Sequence, residues 1–323
     1  MTRFGLKFLI CAGLLAVGIL PAVGESMNPP TTPQVAPMTG QEKKNLEMVE
    51  TWWREVIQAR HTELAAKYQA EDYIQHNPNI STGRAAFLKF FGGMGAPVNP
   101  IPAKMMPEPV VKGARGDFVW LIFEREEKDP RNAANTYHFN SFDVLRIQNG
   151  KIQEHWDSAK KNPPRPGAAA EAVMYGSKDV APTKWNSGKL SKDEEKTLAM
   201  ATEELKDMLQ YGHLELADKT MDPGYIQHNP NVPQGRDGFK QFMSRVPGRT
   251  PQEIKPEWRN APVLTLINGP YSFMMWDRKE KDPADASKEY SWNHFDVVRV
   301  EKGLIKEHWD EAVINPPAGG GKQ

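Results

Sequence analysis

Residues Phe142–Pro164 read FDVLRIQNGKIQEHWDSAKKNPP, and residues Phe295–Pro317 read FDVVRVEKGLIKEHWDEAVINPP. A second motif, YIQHNPN, also occurs twice, at Tyr73–Asn79 and at Tyr225–Asn231. The copies lie roughly 150 residues apart, which is far longer than the repeat of a solenoid protein. Each copy is therefore expected to be a whole domain with its own hydrophobic core, and the chain is expected to be a tandem pair.

The first residues have the pattern of a secretory signal peptide. Arg3 and Lys7 precede an apolar run at Phe8–Leu20, and the small residues Ala22 and Gly24 mark a cleavage site. The apolar run is too short to predict a membrane span. The sequence thus predicts a signal peptide over residues 1–24 and a periplasmic or secreted mature protein.

The composition excludes several classes of function. The one cysteine of the chain, Cys11, lies within the predicted signal peptide, so disulfides, a thiol nucleophile and a cysteine-bound metal are not expected in the mature protein. The 41 basic and 41 acidic residues balance, which argues against a nucleic-acid partner. No second apolar run of spanning length follows, so no membrane association is expected after signal cleavage.

The predicted domain boundaries follow the proline- and glycine-rich stretches. In chain order we expect the signal peptide (1–24), a disordered arm (25–40), domain 1 (41–166), a linker (167–189), domain 2 (190–317) and a flexible tail (318–323).

Each domain is predicted to open with helices. Apolar residues recur at steps of three and four over Gln41–Arg60, as in an amphipathic helix. In the second repeat, Ser191 and Glu194 form a capping box at the start of the equivalent helix. A short helix, a turn at the YIQHNPN motif and a third helix near Gly83 follow. Trp52 and Trp53 have no aromatic match in the second copy, where Glu204 and Leu205 fall nearby. Both tryptophans are expected to pack in the core and at domain contacts.

The pattern then changes to a period of two, which is typical of strands. Four antiparallel strands are predicted, with Asn149-Gly150 as a two-residue hairpin turn: Pro109–Lys112, Asp117–Arg125, Tyr137–Ile147 and Lys151–Asp157. The predicted class is α+β, with three helices packed on a curved antiparallel sheet. Such a cone has one open, apolar mouth, where a small ligand would sit.

The order of these features resembles that of SnoaL-like proteins, which belong to the nuclear transport factor 2-like superfamily and include polyketide cyclases. The resemblance rests on the YIQHNP segment, the phenylalanine-rich helix after Gly83 and the pattern D-x-x-R-x-x-x-G-x-I-x-E-H-W-D at Asp143–Asp157, repeated at Asp296–Asp310. It implies two cone-shaped α+β barrels. The superfamily hosts cyclases, isomerases, dehydratases and non-catalytic binding modules, so the resemblance leaves the reaction open.

In SnoaL-like cyclases an aspartate in the barrel removes a proton next to a carbonyl, without metal or cofactor. By this resemblance Asp143 and Asp296 are the candidate general bases, and neither a metal nor a cofactor is expected. An aspartate on an apolar strand face has a raised pKa unless it is paired, which suits a base near neutral pH. The alternative is that Asp143 pairs with Arg146 or with backbone donors and only orders the sheet.

The hairpin register predicts which side chains share a face. With Asn149-Gly150 as the turn, Ile147 faces Ile152 and Asp143 faces Trp156. Asp143 and Trp156 should therefore line the cone, and the same holds for Asp296 and Trp309. Trp156 and Trp309 are accordingly candidate ligand-binding residues.

The same register places His155 and Asp157 on the outer, more polar face, unless a bulge intervenes. Such a pair could ligate a metal with a third ligand, but a hydrogen-bonded pair or an interface is the favoured interpretation. Glu124 and Arg125 are adjacent on a predicted strand. An ion pair between them, or solvated charges at the end of the strand, is the ordinary explanation for such a pair. His294 and His138 occupy non-equivalent positions, so the two domains would differ in ligand if either histidine lined a pocket.

Two further residue pairs are candidates for the site. His76 and His228 could polarise a substrate carbonyl at the mouth of the cone, or could satisfy backbone groups beside the following proline. Tyr73 and Tyr225 are candidate ligand-binding residues, although buried tyrosines are more often core residues.

The sequence leaves three functions open. The leading hypothesis is an exported tandem protein that binds a small, partly apolar carbonyl compound and performs cyclase, aldol or isomerase chemistry. The second is a non-catalytic small-molecule-binding module, and the third is a protein-interaction scaffold with a filled cone. The tandem is expected to fold into an internal pseudo-dimer or to form a homo-oligomer.

Overall fold

A computed structural model describes residues 33–92, 97–163, 187–247 and 249–314. The predicted signal peptide, the C-terminal tail and most of the linker lie outside these residues. Within the described ranges, no helix is both long enough and apolar enough to cross a membrane.

The helices of the first half lie where the sequence predicts them. They are α1 (Gly40–Trp52), α2 (Ala65–Tyr68) and α3 (Arg84–Gly92). Helix α1 begins with a capping box, in which Thr39 and Glu42 satisfy each other's backbone amides. Beyond Trp52 the helix continues as a π-helical turn, Trp53–Gln58, so the predicted single helix changes its hydrogen-bond pattern part-way.

The second half repeats this arrangement. It contains α4 (Lys192–Thr202), a π-helical turn (Glu203–Met208), α5 (Ala217–Thr220) and α6 (Gly235–Met243). The predicted capping box of Ser191 and Glu194 is present.

Two sheets follow, one in each half, and they confirm the α+β class. The first has the order β1-β3-β4-β5-β6-β2, with β1 (Gln34–Val35), β2 (Gln69–Gln75), β3 (Val111–Arg115), β4 (Phe118–Asp129), β5 (Asn132–Gln148) and β6 (Lys151–Asp157). The second has the order β7-β11-β10-β9-β8, with β7 (Met221–Gln227), β8 (Leu264–Asn268), β9 (Tyr271–Asp282), β10 (Asp285–Glu301) and β11 (Leu304–Asp310).

Each sheet has a strand that the sequence pattern did not predict. The start of the YIQHNPN motif belongs to β2, which pairs in parallel with β6, and β7 pairs with β11 in the same way. The motif turns only after Gln75 and Gln227. The aspartate- and glycine-containing stretches before the motif hide the strand signal.

Part of the predicted disordered arm is ordered, which corrects that prediction. Gln34 and Val35 pair in parallel with β3, and Ala36 is buried between the two sheets. The amide of Gln34 also contacts the second half, because its Oε1 accepts a hydrogen bond from Tyr271 at 2.6 Å and its Nε2 donates to Glu307 at 3.2 Å. Burial and these hydrogen bonds hold the segment in place.

The hairpin turn forms as predicted, but the pairing register of the two strands beyond it differs from the prediction. Asn149 and Gly150 both have positive φ, 51° and 71°, and Ile147 lies opposite Ile152. A β-bulge then leaves Gln153 without a partner, so Trp156 lies opposite Val144 rather than Asp143. The prediction that Asp143 and Trp156 share a face was therefore wrong.

The bulge determines which side chains of β6 lie on each face of the sheet. Leu145 and Ile152 pack with the helices in the core of the first cone, and Asp143 and His155 share their face by alternation. Trp156 lies on the other face, and the same shift at Lys306 places Trp309 there too.

The outer faces of the two sheets pack against each other. Their shared core contains Trp120, Trp156, Trp309 and the parallel-stacked pair Phe142 and Phe295, whose ring centroids are 5.3 Å apart. Polar contacts repeat across the boundary: Asn140 Nδ2 donates to the carbonyl of Asp310, and Asn293 Nδ2 to that of Asp157, each at 3.3 Å. This reciprocity is the signature of a two-fold-like interface.

Candidate active site

The first cone contains a buried aspartate–histidine pair. His155 Nε2 donates a hydrogen bond to Asp143 Oδ1 at 2.8 Å, and His155 Nδ1 lies 3.2 Å from the hydroxyl of Tyr73. All three residues are buried. The sequence register had separated Asp143 from His155, and the bulge at Gln153 brings them together.

Burial and charge shift the pKa values of this cluster. Burial by itself would lower the pKa of His155, but the hydrogen bond and the negative charge of Asp143 outweigh it and raise the pKa. Burial raises the pKa of Asp157 and, well above its usual value, the pKa of Tyr73. Asp157 also accepts hydrogen bonds from Asn77 Nδ2 at 2.7 Å and from the Ala159 amide at 3.0 Å. It therefore ties the NPN turn to the end of β6.

An open cleft of about 530 Å³ reaches Asp143 from solvent. Its walls combine aromatic and polar side chains, among them Trp53, Arg125, Phe139, Ser141, Asp143 and Asp157. Trp53 comes from the π-helical turn and stacks on Phe123 at 5.0 Å. The cleft therefore combines aromatic walls with polar groups, including the carboxylates of Asp143 and Asp157, as small-molecule sites do.

Arg125 is a site residue that the sequence reasoning missed. Its Nε donates to Ser141 Oγ at 2.8 Å, and its guanidinium lies over the ring of Phe123. Among the described residues no carboxylate forms an ion pair with Arg125 within 4 Å, and Glu124 lies 3.3 Å from His138. Burial lowers the pKa of Arg125, and the charge of Asp143 opposes this shift. Counting by two from Phe123 along β4 would have placed Arg125 on the concave face.

His76 and His228 lie on the other side of the sheet from the two aspartates. The ring of His76 stacks on Trp156 at 4.5 Å, and its Nε2 lies 3.1 Å from Glu154. His228 stacks on Trp309 in the same manner, at 4.7 Å. The structure thus does not bring these histidines to the candidate bases.

Trp156 and Trp309 lie between the sheets, which corrects their predicted place inside the cones. Tyr73 and Tyr225 do lie on the concave side. Tyr73 contacts His155, and the hydroxyl of Tyr225 donates to Glu204 at 2.9 Å.

The second cone repeats the pair in a different environment. His308 Nε2 donates to Asp296 Oδ1 at 2.8 Å, but His308 Nδ1 also donates to Glu204 Oε1 at 2.9 Å. A further histidine, His294, lies 3.0 Å from Asp296 Oδ2 and 2.6 Å from Glu311. Asp296 is therefore contacted by two imidazoles, whereas Asp143 is contacted by one.

The pKa values follow these contacts. Burial opposes the charged forms, but the neighbouring carboxylates raise the pKa of His308 and of His294 well above the usual value. Burial would likewise raise the pKa of Asp296, yet the two histidines lower it below its usual range. Burial raises the pKa of Asp310 to about 6.

Each cone also brings three potential metal ligands together. The ligand atoms of Asp143, His155 and Asp157 lie within 4.8 Å of one another, and so do those of Asp296, His308 and Asp310. Imidazole nitrogen and carboxylate oxygen suit divalent cations such as Zn²⁺.

Comparison with known proteins identifies the first cone. Residues 49–155, which include Trp53, Arg125, Asp143 and His155, match the family model of the SnoaL-like domain. The first half of this chain carries a SnoaL-like domain. The second half repeats its motifs and its strand order but lies outside the matched residues.

Solved structures similar to part of this chain are distant in sequence. TsrD from Streptomyces laurentii is 18% identical, over 38% of this chain and 90% of that chain, with a TM-score of 0.25. A protein assigned as a polyketide cyclase from Bacillus cereus ATCC 10987 is 20% identical, over 41% and 87%, with a TM-score of 0.29. An NTF2-like protein from Mesorhizobium loti is 17% identical, over 40% and 99%, with a TM-score of 0.28. No curated protein matches this chain significantly.

The family match and the cleft together support a ligand-binding or catalytic function for the SnoaL-like domain. A carboxylate, an arginine and aromatic walls converge on one open space, which is the arrangement that acid–base chemistry on a small molecule needs.

Proposed function

We propose that the SnoaL-like domain binds a small, partly apolar carbonyl compound and removes a proton from the carbon next to the carbonyl, without a cofactor. The observation that supports this most strongly is the cleft of about 530 Å³ that leads to Asp143 and carries Arg125 on its wall. The aromatic side chains of Trp53 and Phe139 would hold the apolar part of the ligand.

In this proposal Asp143 is the general base. Its carboxylate takes the proton from the α-carbon, and the electron pair of the broken C–H bond moves to the carbonyl oxygen to form an enolate. The guanidinium of Arg125 lies on the same wall and would stabilise this oxyanion. Arg125 thus takes the polarising role for which His76 was a candidate.

His155 would position the base. Its hydrogen bond to Asp143 Oδ1 fixes the carboxylate and adds a positively charged neighbour when the imidazole is protonated. Return of the proton to another carbon gives an isomerase, and attack of the enolate on a second carbonyl gives a cyclase or an aldol enzyme. Both outcomes use the same residues.

The test uses β-tetralone and acetophenone as probes in D₂O. NMR monitors the exchange of their α-hydrogens for deuterium. We expect Asp143→Asn to reduce the protein-dependent exchange by a factor of about 10² to 10⁴ and to leave probe binding largely unchanged. Asp296→Asn is the matched control and should keep the exchange rate.

The outcomes separate the three hypotheses. Probe binding without exchange above the buffer rate would contradict catalysis and favour a binding module. Absence of both binding and exchange would favour an interaction scaffold.

We also propose that the mature protein is exported, on the basis of the signal-peptide pattern over residues 1–24. N-terminal sequencing of the protein from its host should begin at Glu25. A chain that retains Met1 in the cytoplasmic fraction would contradict export.

A further inference from the structure

The second cone differs from the first at three positions that meet around one histidine–aspartate pair. Glu204 replaces Trp52, His294 replaces Ser141, and Glu311 replaces Ser158. We propose that the second domain binds one divalent transition-metal ion of the Zn²⁺ class, with His308, Asp296 and Asp310 as ligands. This site is separate from the proposed function, which concerns the first domain.

The first argument is the orientation of His308. Its Nδ1 donates to the buried carboxylate of Glu204 at 2.9 Å, and its Nε2 points to Asp296 Oδ1 at 2.8 Å. Histidines that bind metals usually donate their other ring nitrogen to a carboxylate, which fixes the tautomer and raises the basicity of the ligating nitrogen. Glu204 provides that carboxylate, and Nε2 faces the other two ligands.

The second argument is the orientation of Asp296. Its Oδ2 lies 3.0 Å from His294 Nε2, while His294 Nδ1 is itself held by Glu311 at 2.6 Å. The contact from His294 fixes the carboxylate plane and leaves Oδ1 directed toward His308. His294 is thus a positioning residue for the ligand Asp296.

The third argument is charge. Glu204 is fully buried, and its Oε2 has no hydrogen-bond partner among the described residues. Three further carboxylates lie close by: Asp296 and Asp310 are potential ligands beside His308, and Glu311 contacts His294, which in turn contacts Asp296. Buried anions are costly unless cations compensate them. The imidazoles of His308 and His294 contact Glu204, Asp296 and Glu311, and a divalent ion between His308 and the two aspartates would add to this compensation.

The first cone serves as an internal comparison. His155 Nδ1 faces the neutral groups of Tyr73 and Gln75 rather than a carboxylate. Each cone has one arginine close enough to affect its aspartate, Arg125 or Arg249, so arginines do not distinguish them. The first cone is therefore expected to bind the metal more weakly, although it has the same three ligand types.

This inference departs from the metal-free protein that the sequence predicts. The sequence register had put the aspartate and the histidine on opposite faces, and Glu204 carried no assigned role. The sequence did contain one signal: Glu204 lies beside the apolar stripe that includes Leu205 and Met208. A glutamate is rarely buried on a helix unless it is paired.

The test is calorimetric titration of the full mature chain, stripped with EDTA, with ZnCl₂, and with MgCl₂ for comparison. We expect one Zn²⁺ per chain and much weaker binding of Mg²⁺, which prefers ligand sets made of oxygen alone. Binding should release protons, measured in buffers of different ionisation enthalpy, because His308 must lose its Nε2 proton.

Three variants locate the ion. His308→Ala should abolish the Zn²⁺ isotherm, and the matched His155→Ala should keep it. Glu204→Gln, which is nearly isosteric, should weaken binding by a factor of about 10 to 100; circular dichroism verifies the fold of each variant.

No Zn²⁺ binding by the wild-type chain at 100 µM, or equal affinities for Zn²⁺ and Mg²⁺, would overturn the proposal. So would loss of binding in His155→Ala but not in His308→Ala. None of these results depends on Asp143, so they are distinguishable from failure of the proposed catalysis.

Discussion

Asp143 and Asp296 are the same residue at equivalent positions, yet their surroundings give them different chemistry. Asp143 lines an open cleft and contacts one histidine. Asp296 is contacted by His294 and His308, which lower its pKa below the usual range. Matching motifs therefore do not imply matching roles, because the pKa and the accessibility of a carboxylate depend on neighbours from other elements.

A first prediction at this scale concerns Glu307 on the outer face of the second sheet. Burial by itself would raise its pKa, but hydrogen bonds from His228 and Arg299 lower it to about 2. A carboxylate with a depressed folded-state pKa stabilises the protein above its unfolded pKa and loses this contribution as the pH falls toward the folded pKa. Glu307→Gln should therefore be less stable than wild type near pH 6, by an amount on the order of 3 kcal/mol at most.

The measurement is urea denaturation at several pH values between about 6 and 2. The stability of the variant should converge with that of the wild type toward pH 2. Glu301→Gln is the control, because Glu301 pairs with the same arginine, Arg299, but is exposed, and it should change little. Parallel pH curves for wild type and Glu307→Gln would contradict the prediction.

At the scale of elements, one residue in each terminal hairpin determines the site. Gln153 and Lys306 are extra residues in β6 and β11, and each shifts the following side chains to the opposite face. Without the bulge, His155 would point between the sheets and Trp156 into the cone. The histidine–aspartate pairs exist only because of this shift.

Deletion of Gln153 tests this dependence. Without the bulge, side chains would alternate regularly along β6. Either His155 would then leave the cone or Trp156 would leave the core between the sheets. We expect a loss of more than about 3 kcal/mol, as for removal of a large buried side chain. Deletion of Ala134, an exposed residue at the tip of the β4–β5 hairpin, is the control and should cost little; urea denaturation measures both. Equal effects of the two deletions would argue against the bulge.

At the scale of the whole molecule, the two halves share a core. The cones face away from each other, and the convex sides of their sheets bury Phe142, Phe295, Trp156 and Trp309 together. The N-terminal segment around Gln34 adds contacts to both halves. We propose that the tandem acts as an internal pseudo-dimer, in which the second domain supports the first.

The stacked rings of Phe142 and Phe295 allow a direct test of this coupling. Each single substitution to alanine should cost about 3 to 5 kcal/mol. The double variant should be more stable than the sum of the two losses predicts, by about 0.5 to 1.5 kcal/mol, because the rings contact each other. Phe87→Ala and Phe239→Ala, each buried in a different cone, should be additive in the same denaturation experiment. Additivity of Phe142→Ala and Phe295→Ala would contradict a shared core.

Much of the fold could be predicted because its signals are local. The capping box of Ser191 and Glu194, the hairpin turn at Asn149-Gly150 and the period-two strands depend on neighbours in sequence. The site could not be predicted to the same extent. The register of β6 depends on a bulge, and the contact of Glu204 with His308 joins a helix to a strand about a hundred residues further along the chain.

The resemblance to SnoaL-like proteins singled out Asp143 and Asp296 as candidate bases. The sequence by itself determined the duplication and the α+β class of each repeat. Local propensity and internal repetition carry that information along the chain. Tertiary structure alone decided that His155 meets Asp143, that Trp156 packs between the sheets and that His308 lies between Glu204 and Asp296. Those outcomes follow from a one-residue shift in pairing and from contacts across more than a hundred residues, which no local pattern encodes.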